Sequence, residues 1–197
     1  AVSRVLKDEG RLDVLINCAA LVLAGPGENF SASEFLHLLD VNSVSPFRLI
    51  KEAISSMRTQ GEGRIINITS LNGRVSLPGF SLYSASKHAL EALGVALHYE
   101  LKKSNIYLTN IAPGAIISQK DHTGNLDHLP VREKFFLMKK LLPMLSPKEV
   151  VAKVAEVIND PNPPAQIIIG RDAKVTSFLY RCLPQMFWNK LIIFLYG

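Results

Sequence analysis

The sequence predicts an α/β fold built on a doubly wound parallel sheet. Short runs rich in Ile, Val and Leu alternate with longer segments whose apolar residues recur at helical spacing. Glycine and proline separate these segments, as at Gly61 and Gly63 or Pro113 and Gly114. Strands that alternate with helices favour parallel pairing through right-handed crossovers.

The individual elements follow from these patterns. Residues 13–23 are almost continuously apolar, which predicts a strand buried on both faces. Ser31 and Glu34 have the spacing of a capping box and begin a helix that we expect to reach about Met57. Further along the chain we expect strands at 64–69, 106–111 and 167–169, and helices at 82–103 and 147–158.

With 197 residues, of which 48% are hydrophobic, the chain is expected to form one domain, 1–197. Residues 118–147 have mixed polarity and two prolines, and we interpret them as a substrate lid. Residues 175–197 form a distinct apolar segment. The lid supplies six large apolar side chains, which favour an apolar substrate over a sugar, although core packing is the alternative: Phe135, Phe136, Leu137, Met138, Leu141 and Leu142.

Charge and cysteine content exclude several classes of function. The net charge is +5, but the basic residues are scattered, so we predict no nucleic-acid partner. Cys18 and Cys182 are too few for a disulfide framework, which indicates a reducing compartment. The five histidines lack the spacing of metal ligands, and we predict no metal.

Tyr83 and Lys87 carry the clearest chemical signal. Four residues apart, they share one face of the predicted helix 82–103, where the ammonium group of Lys87 could lower the pKa of the phenol. Alone, this spacing is more often found on a solvated helix face. Ser70, however, lies at the end of a predicted parallel strand, where ligands bind in such sheets. Its hydroxyl could stabilise a developing alkoxide.

Ser70, Tyr83 and Lys87 together resemble the catalytic residues of the short-chain dehydrogenase/reductase family. Asn42 matches the asparagine that completes the family's tetrad. The resemblance implies a Rossmann-like fold, with Tyr83 as general acid or base, Ser70 polarising the substrate oxygen, Lys87 binding the nicotinamide ribose and Asn42 supporting a proton relay.

Two further segments resemble the family's cofactor-binding motifs. Asn17, Ala19 and Ala20 match its N-N-A-G turn, with Cys18 and Ala20 replacing the second Asn and the Gly. The segment 113–118 matches its P-G turn, so the resemblance assigns cofactor contacts to Asn17, Ala19, Ala20, Tyr83, Lys87, Pro113, Gly114, Ile116 and Ser118. Ser118 replaces the family's Thr and keeps its hydroxyl.

The resemblance implies an NAD(P)-dependent oxidoreductase that interconverts a hydroxyl and a carbonyl on an apolar steroid, retinoid or fatty-acyl substrate. NADP is slightly favoured over NAD. The Gly-rich turn that cradles a dinucleotide pyrophosphate is absent from these residues, so we expect an amino-terminally truncated form that lacks the first strands of the sheet. The strand at 13–17 then becomes a sheet edge. The alternative is a catalytically silent chain that acts by binding or oligomerisation.

The apolar segment 178–196 has two interpretations. Arg181, Gln185 and Asn189 recur every four residues, so one continuous helix would have a polar face and an apolar face. Such a helix could lie in a membrane interface, with Trp188 and Lys190 at headgroup level, or pack on the lid or a partner subunit. We expect a cytoplasmic location, or a peripheral one on the endoplasmic reticulum or another intracellular membrane. The resemblance also implies a homo-oligomer formed through the helices 35–57 and 82–103.

Overall fold

The computed structural model describes residues 1–117 and 144–196. Its sheet has four parallel strands in the order of the chain, β1 (Val14–Asn17), β2 (Gly63–Ile68), β3 (Ile106–Pro113) and β4 (Gln166–Ile169). Each pair is joined by a helical crossover, as parallel pairing requires. The predicted fold class and the four strands are therefore confirmed.

Seven helices are described outside the short 3₁₀ turns and one π turn. They are α1 (Val2–Glu9), α2 (Ala32–Leu39), α3 (Ser45–Gln60), α4 (Ser81–Leu101), α5 (Pro147–Asn159), α6 (Arg171–Cys182) and α7 (Gln185–Tyr196). The predicted capping box of Ser31 and Glu34 is present at α2. A second one, formed by Ser146 and Glu149, begins α5 with Pro147 in its first turn.

Alternate residues of the central strands pack on opposite faces of the sheet. Ile65 of β2 belongs to a cluster with α3 and α4, whereas the next residue, Ile66, belongs to a cluster with α5. Both side chains are fully buried. A sheet covered on both faces explains why its strands are continuous apolar runs in the sequence.

Buried asparagines cross the sheet at one register on the face that carries α4. Asn17, Asn67 and Asn110 are aligned on β1, β2 and β3. The Asn17 amide donates to Asn67 Oδ1 (2.8 Å), the Asn67 amide to Asn110 Oδ1 (3.0 Å), and the Asn110 amide to the carbonyl of Glu91 on α4 (2.8 Å). This ladder of side chains ties three strands to one helix.

Three elements differ from the sequence prediction. The first strand ends at Asn17 rather than Leu23, because the Leu21 backbone pairs with the Asn42 side chain instead of a strand. The predicted helix 35–57 is interrupted by a π turn, Asp40–Val44. The carboxyl-terminal segment forms two helices, because Pro184 favours an extended conformation at Leu183.

β1 is an edge of the sheet in the part of the chain that the structure describes. Its one described partner is β2, and Ile16 is 43% exposed although the strand is apolar. The unpaired side of such a strand offers backbone N–H and C=O groups to a further strand. Within the described residues, β1 therefore has one unpaired side.

Asn67→Ala should lower the free energy of unfolding by about 3 kcal/mol, because it leaves the Asn17 amide and Asn110 Oδ1 buried without their partner. Asn159→Ala is the matched control, since it removes an exposed side chain that bonds the Ala155 carbonyl, and should change stability by less than about 0.5 kcal/mol. Urea unfolding monitored by circular dichroism measures both. Equal losses would contradict a structural role for the ladder.

Candidate active site

Ser70 lies two residues after the end of β2 and caps a 3₁₀ turn, Leu71–Gly73. Its Oγ accepts a hydrogen bond from the Asn72 N–H (3.1 Å). A Cβ on Gly73 would lie 2.8 Å from the Lys87 carbonyl oxygen, so the turn approaches α4 more closely than a side chain allows. This contact brings the strand end and the helix together at Ser70.

Tyr83 and Lys87 lie one turn apart on α4, as predicted. The Ser70 hydroxyl lies near enough to the Tyr83 side chain to lower the pKa of its phenol. Lys87 Nζ lies 5.9 Å from the centroid of the Tyr83 ring and donates to the carbonyl of Ile68 at the end of β2 (3.1 Å). Lys87 is only 2% exposed. The structure therefore brings all three predicted residues to the carboxyl end of β2.

Burial moves both ionisable groups toward their neutral forms. It raises the pKa of Tyr83 above the ordinary value, and the nearby Ser70 hydroxyl opposes this rise only in part. The expectation that Lys87 lowers the phenol's pKa is therefore wrong for this arrangement, in which burial dominates. Burial also lowers the pKa of Lys87 to about 8, against the opposing effects of Cys18 and Glu91.

Asn42 lies in the π turn and is fully buried. Its amide group donates to the Leu21 carbonyl and to Ser86 Oγ, both at 2.9 Å, and its Oδ1 accepts from the Leu21 N–H. Ser86 in turn donates to the Tyr83 carbonyl (2.8 Å). Asn42 thus connects the segment after β1 with the backbone of α4 beside Tyr83.

The segment after β1 is exposed to solvent at the same carboxyl end of the sheet. Ala19 and Ala20 are exposed, whereas the Asn17 side chain is used in the asparagine ladder. Among the described non-glycine residues, Asn105 alone has a positive φ, so Ala20 is accommodated without strain. The replacement of the family's glycine is therefore compatible with this turn.

The segment after β3 is held from two sides. Gly114 N–H donates to Ile169, Ala115 N–H donates to Asp172 Oδ2, and Leu145 exchanges hydrogen bonds with Ala115 and Ile117. No described residue hydrogen-bonds the N–H or the C=O of Ile116. In an extended segment these groups point to the side opposite from the groups of Ala115 and Ile117 that bond Leu145. Ser118 lies outside the described residues.

Comparison with known proteins identifies the family. The sequence model of the short chain dehydrogenase family matches residues 1–127. The chain belongs to this family. Over 192 residues, 93% of this chain and 71% of the relative, it is 30% identical to a probable short-chain type dehydrogenase/reductase of Helicobacter pylori. It is also 35% identical over 104 residues, 53% of this chain and 31% of the relative, to 3-ketodihydrosphingosine reductase of Bos taurus.

Solved structures agree with this assignment. A short-chain dehydrogenase from Streptomyces avermitilis superposes with a TM-score of 0.79 and 26% identity, covering 91% of this chain and 68% of that one. Actinorhodin polyketide ketoreductase with NADPH superposes with a TM-score of 0.76 and 26% identity, covering 86% of this chain and 70% of that one. 4-Hydroxyisoleucine dehydrogenase with NADH superposes with a TM-score of 0.72 and 27% identity, covering 85% of this chain and 71% of that one.

The chain spans between 31% and 71% of the lengths of the curated short-chain dehydrogenases that it matches. The family uses NAD(P), and the described residues fit the nicotinamide half of such a cofactor. Lys87 has two N–H groups beyond the one that bonds Ile68, and Ile116 leaves a donor and an acceptor free of described partners.

An apolar cavity of about 200 Å³ adjoins this short-chain dehydrogenase site. Leu71, next to Ser70, and Ala115, in the turn after β3, line it from the sheet side, and α6 and α7 close it. Its other lining residues are Leu77, Met144, Asp172, Val175, Thr176, Leu179, Trp188, Leu191, Ile192, Leu195 and Tyr196. The six apolar lid residues named in the sequence analysis lie outside the described residues.

Sequence analysis missed two polar groups beside the short-chain dehydrogenase site. Glu91, buried on α4, pairs with Arg74 Nη1 (3.1 Å) and accepts from Gln166 on β4 (2.8 Å). Asp172, at the start of α6, bonds the turn after β3. Both residues have partners that are distant in the sequence. The sequence alone therefore showed only that each is a polar residue in a largely apolar segment.

The described ranges contain no group of three or more His, Cys, Asp or Glu residues that could hold a metal ion. Within these ranges, too, no helix is long and apolar enough to span a membrane.

The stability of this short-chain dehydrogenase should rise with pH through the titration of Lys87. In the folded state Lys87 loses its proton near pH 8, whereas the unfolded chain holds it to about 10.5. Between these values the unfolded state binds more protons, so wild type should gain about 3 kcal/mol relative to Lys87→Met. Urea unfolding at pH 7.5 and pH 10.5 measures this difference.

The control is Lys103→Met, which replaces an exposed lysine in the middle of the 3₁₀ turn after α4 and should preserve the pH dependence of wild type. If Lys87→Met also tracked wild type at both pH values, Lys87 would titrate alike in the folded and unfolded states, contrary to its burial.

Proposed function

We propose that the protein is an NAD(P)(H)-dependent oxidoreductase that interconverts a hydroxyl and a carbonyl on an apolar substrate. The observation that carries the proposal is the convergence of Ser70, Tyr83 and the buried Lys87 at the carboxyl end of β2, with Lys87 one helical turn from Tyr83. This set of donors suits a carbonyl oxygen that becomes negatively charged during reduction.

In the reductive direction, Tyr83 is the general acid. Its raised pKa keeps the phenol protonated at neutral pH, so its proton is available to the substrate oxygen. Ser70 donates a hydrogen bond to the same oxygen and orients it. When bound, the reduced nicotinamide supplies the hydride to the carbonyl carbon. In the oxidative direction, Tyr83 accepts the hydroxyl proton as the phenolate, so this direction requires the phenol to ionise first and is favoured by alkaline pH.

Lys87 and Asn42 support this step from the protein side. Lys87 donates to Ile68 and has two N–H groups left for the hydroxyls of a nicotinamide ribose. Asn42 holds the backbone after β1 and, through Ser86, the helix at Tyr83. We assign it to positioning and proton relay. Pro113, Gly114, Ile116 and Ser118 complete the nicotinamide site with Ala19 and Ala20, and either NAD or NADP is the cofactor.

The cavity supports an apolar substrate. Eleven of the thirteen residues that line it are aliphatic or aromatic or are methionine, and the other two, Thr176 and Asp172, are polar. The similarity to 3-ketodihydrosphingosine reductase, whose name states a long-chain ketone substrate, points the same way. We infer a steroid, retinoid or fatty-acyl carbonyl, the apolar part of which enters the cavity between α6 and α7.

Two surfaces suggest contacts with larger partners. A groove of about 510 Å³ between α3 and α4, which Phe47 and Leu97 line, favours a homo-oligomer through these helices. On α6 and α7, Phe178 and Phe194 are 66% and 71% exposed, and Lys174 and Lys190 supply positive charge nearby in sequence. This combination favours peripheral contact with an intracellular membrane by a cytoplasmic protein.

A catalytically silent binding module is the second candidate. The groove between α3 and α4 supports it, because such a groove can receive another subunit. The two candidates differ in whether Tyr83 matters. A binding module needs its helices, whereas the oxidoreductase needs the phenol.

Tyr83→Phe should reduce carbonyl reduction about 10²- to 10⁴-fold, because it removes the proton donor and leaves the ring in place. The assay follows NAD(P)H absorbance in the longest natural protein that contains these 197 residues. Tyr99→Phe is the matched control on α4, where Tyr99 is 68% exposed, and it should retain full activity. Activity that is equal in all three proteins, or absent from wild type, would favour the binding module.

Leu179→Asn should raise KM for a long-chain ketone about tenfold while changing kcat for a short ketone little, because Leu179 lines the cavity. Phe178→Asn is the control. Its side chain points to solvent from the next position on α6 and should leave KM unchanged in detergent solution. An equal effect on short and long ketones would contradict the cavity as the site of chain binding.

A further inference from the structure

Asp172 is the second residue of α6 and reaches back to the turn after β3. Its Oδ2 accepts a hydrogen bond of 2.7 Å from the N–H of Ala115, which lies 57 residues earlier in the chain. The resemblance to short-chain dehydrogenases assigns Asp172 no role. Among the described residues it nevertheless makes the one side-chain hydrogen bond to the backbone of the turn 113–117, which we propose holds the nicotinamide.

Two glycines make room for the carboxylate. A Cβ on Gly114 would lie 2.1 Å from Asp172 Oδ1, and one on Gly170 would lie 2.6 Å from the same atom. Oδ1 is buried and has no hydrogen-bond partner among the described residues. Burying a carboxylate oxygen in this way is costly, and the positive amino end of α6 offsets the cost only in part.

The contact determines which backbone groups remain available in the turn. Asp172 occupies the N–H of Ala115, and Leu145 occupies the Ala115 carbonyl and the Ile117 N–H. The N–H and C=O of Ile116, between them, have no described partner. A turn held on both sides of Ile116 presents one donor and one acceptor in a constant orientation, which matches the amide of a nicotinamide ring.

From this geometry we infer that Asp172 is a positioning residue, which holds the turn 113–117 so that Ile116 can bind the carboxamide of the nicotinamide. This inference rests on the proposed function and adds a residue to it. Asp172 also lines the proposed substrate cavity, but it acts on the cofactor only through Ala115. Its effect on cofactor affinity should therefore be confined to the nicotinamide half.

A merely structural role for Asp172 would have a different signature. Loss of a helix-end contact lowers the stability of the fold and weakens all ligands alike. Loss of the positioned turn weakens only a ligand that carries nicotinamide. ADP-ribose, which has the same adenosine and pyrophosphate but no nicotinamide, separates the two cases.

The experiment measures dissociation constants by calorimetry in the longest natural protein that contains this chain. The first ligand is whichever of NADH and NADPH binds more tightly. The second is ADP-ribose if the first is NADH, or ADP-ribose 2′-phosphate if the first is NADPH. The readout is the ratio of the two constants. Variants are Asp172→Ala and Asp172→Asn, because asparagine keeps an acceptor oxygen for Ala115. Asp160→Ala is the control, since Asp160 makes a similar bond to the Asn162 N–H (2.9 Å) in the loop before β4.

We expect Asp172→Ala to reduce the preference for the nicotinamide-bearing ligand about tenfold, and Asp172→Asn to remain within about threefold of wild type. Asp160→Ala should leave the ratio unchanged. If Asp172→Ala fails to fold, Gly114→Ala tests the same contact by displacing the carboxylate. It should also reduce the preference for the nicotinamide-bearing ligand over ADP-ribose.

Three results would overturn the inference. The first is a ratio that stays at the wild-type value in Asp172→Ala, or in Gly114→Ala if the former does not fold. The second is an Asp172→Asn protein as impaired as Asp172→Ala, since the acceptor would then not be what matters. The third is a wild type that binds the two ligands equally, which means that the turn does not bind nicotinamide. A wild type that binds neither ligand would remove the proposed function as well.

Discussion

The close packing of α4 against the sheet is the constraint on which the site depends. At Gly94 a Cβ would lie 2.1 Å from Asn110 Oδ1 of β3, and at Gly73 a Cβ would lie 2.8 Å from the Lys87 carbonyl. The Asn110 amide also donates to the Glu91 carbonyl. The first two contacts require glycine and the third requires the asparagine. Together they hold α4 closely against the sheet and the turn after β2, which places Tyr83 beside Ser70.

This packing also determines the chemistry of the charged groups. A Tyr–Lys pair on an exposed helix face would be solvated and of little consequence. On α4 the same spacing is buried, so the pKa of Lys87 falls to about 8 and that of Tyr83 rises. The phenol is therefore protonated at neutral pH, and the nearby Ser70 hydroxyl partly offsets the rise in its pKa. Burial rather than the spacing of the pair decides the direction of both shifts.

The second half of the site is assembled from the end of the chain. The turn after β3 is held by Asp172 of α6 on one side and Leu145 on the other. The same α6 and its successor α7 close the apolar cavity beside Ser70, with Trp188 buried between them and in edge contact with Tyr180. The proposed cofactor turn and the proposed substrate cavity therefore share one support, and Asp172 lies where they meet.

The sequence by itself determined the features that depend on local spacing. The capping box at Ser31, the helical face shared by Tyr83 and Lys87, and the apolar strands of a covered parallel sheet all depend on neighbours within about four residues. The family resemblance rested on several such motifs in the right order. Pro184 was also visible, yet the expectation of one continuous helix through 178–196 overlooked its effect.

Only the tertiary structure decided the features that depend on distant partners. The π turn at Asn42 follows from its bonds to Leu21 and Ser86, and the first strand ends early for the same reason. The pKa of Tyr83 rises because the fold buries it, an effect that the spacing to Lys87 does not reveal. Asp172 gains its role from an N–H group 57 residues away. Burial and long-range hydrogen bonds are properties of the packed chain, and local spacing in a sequence carries no record of them.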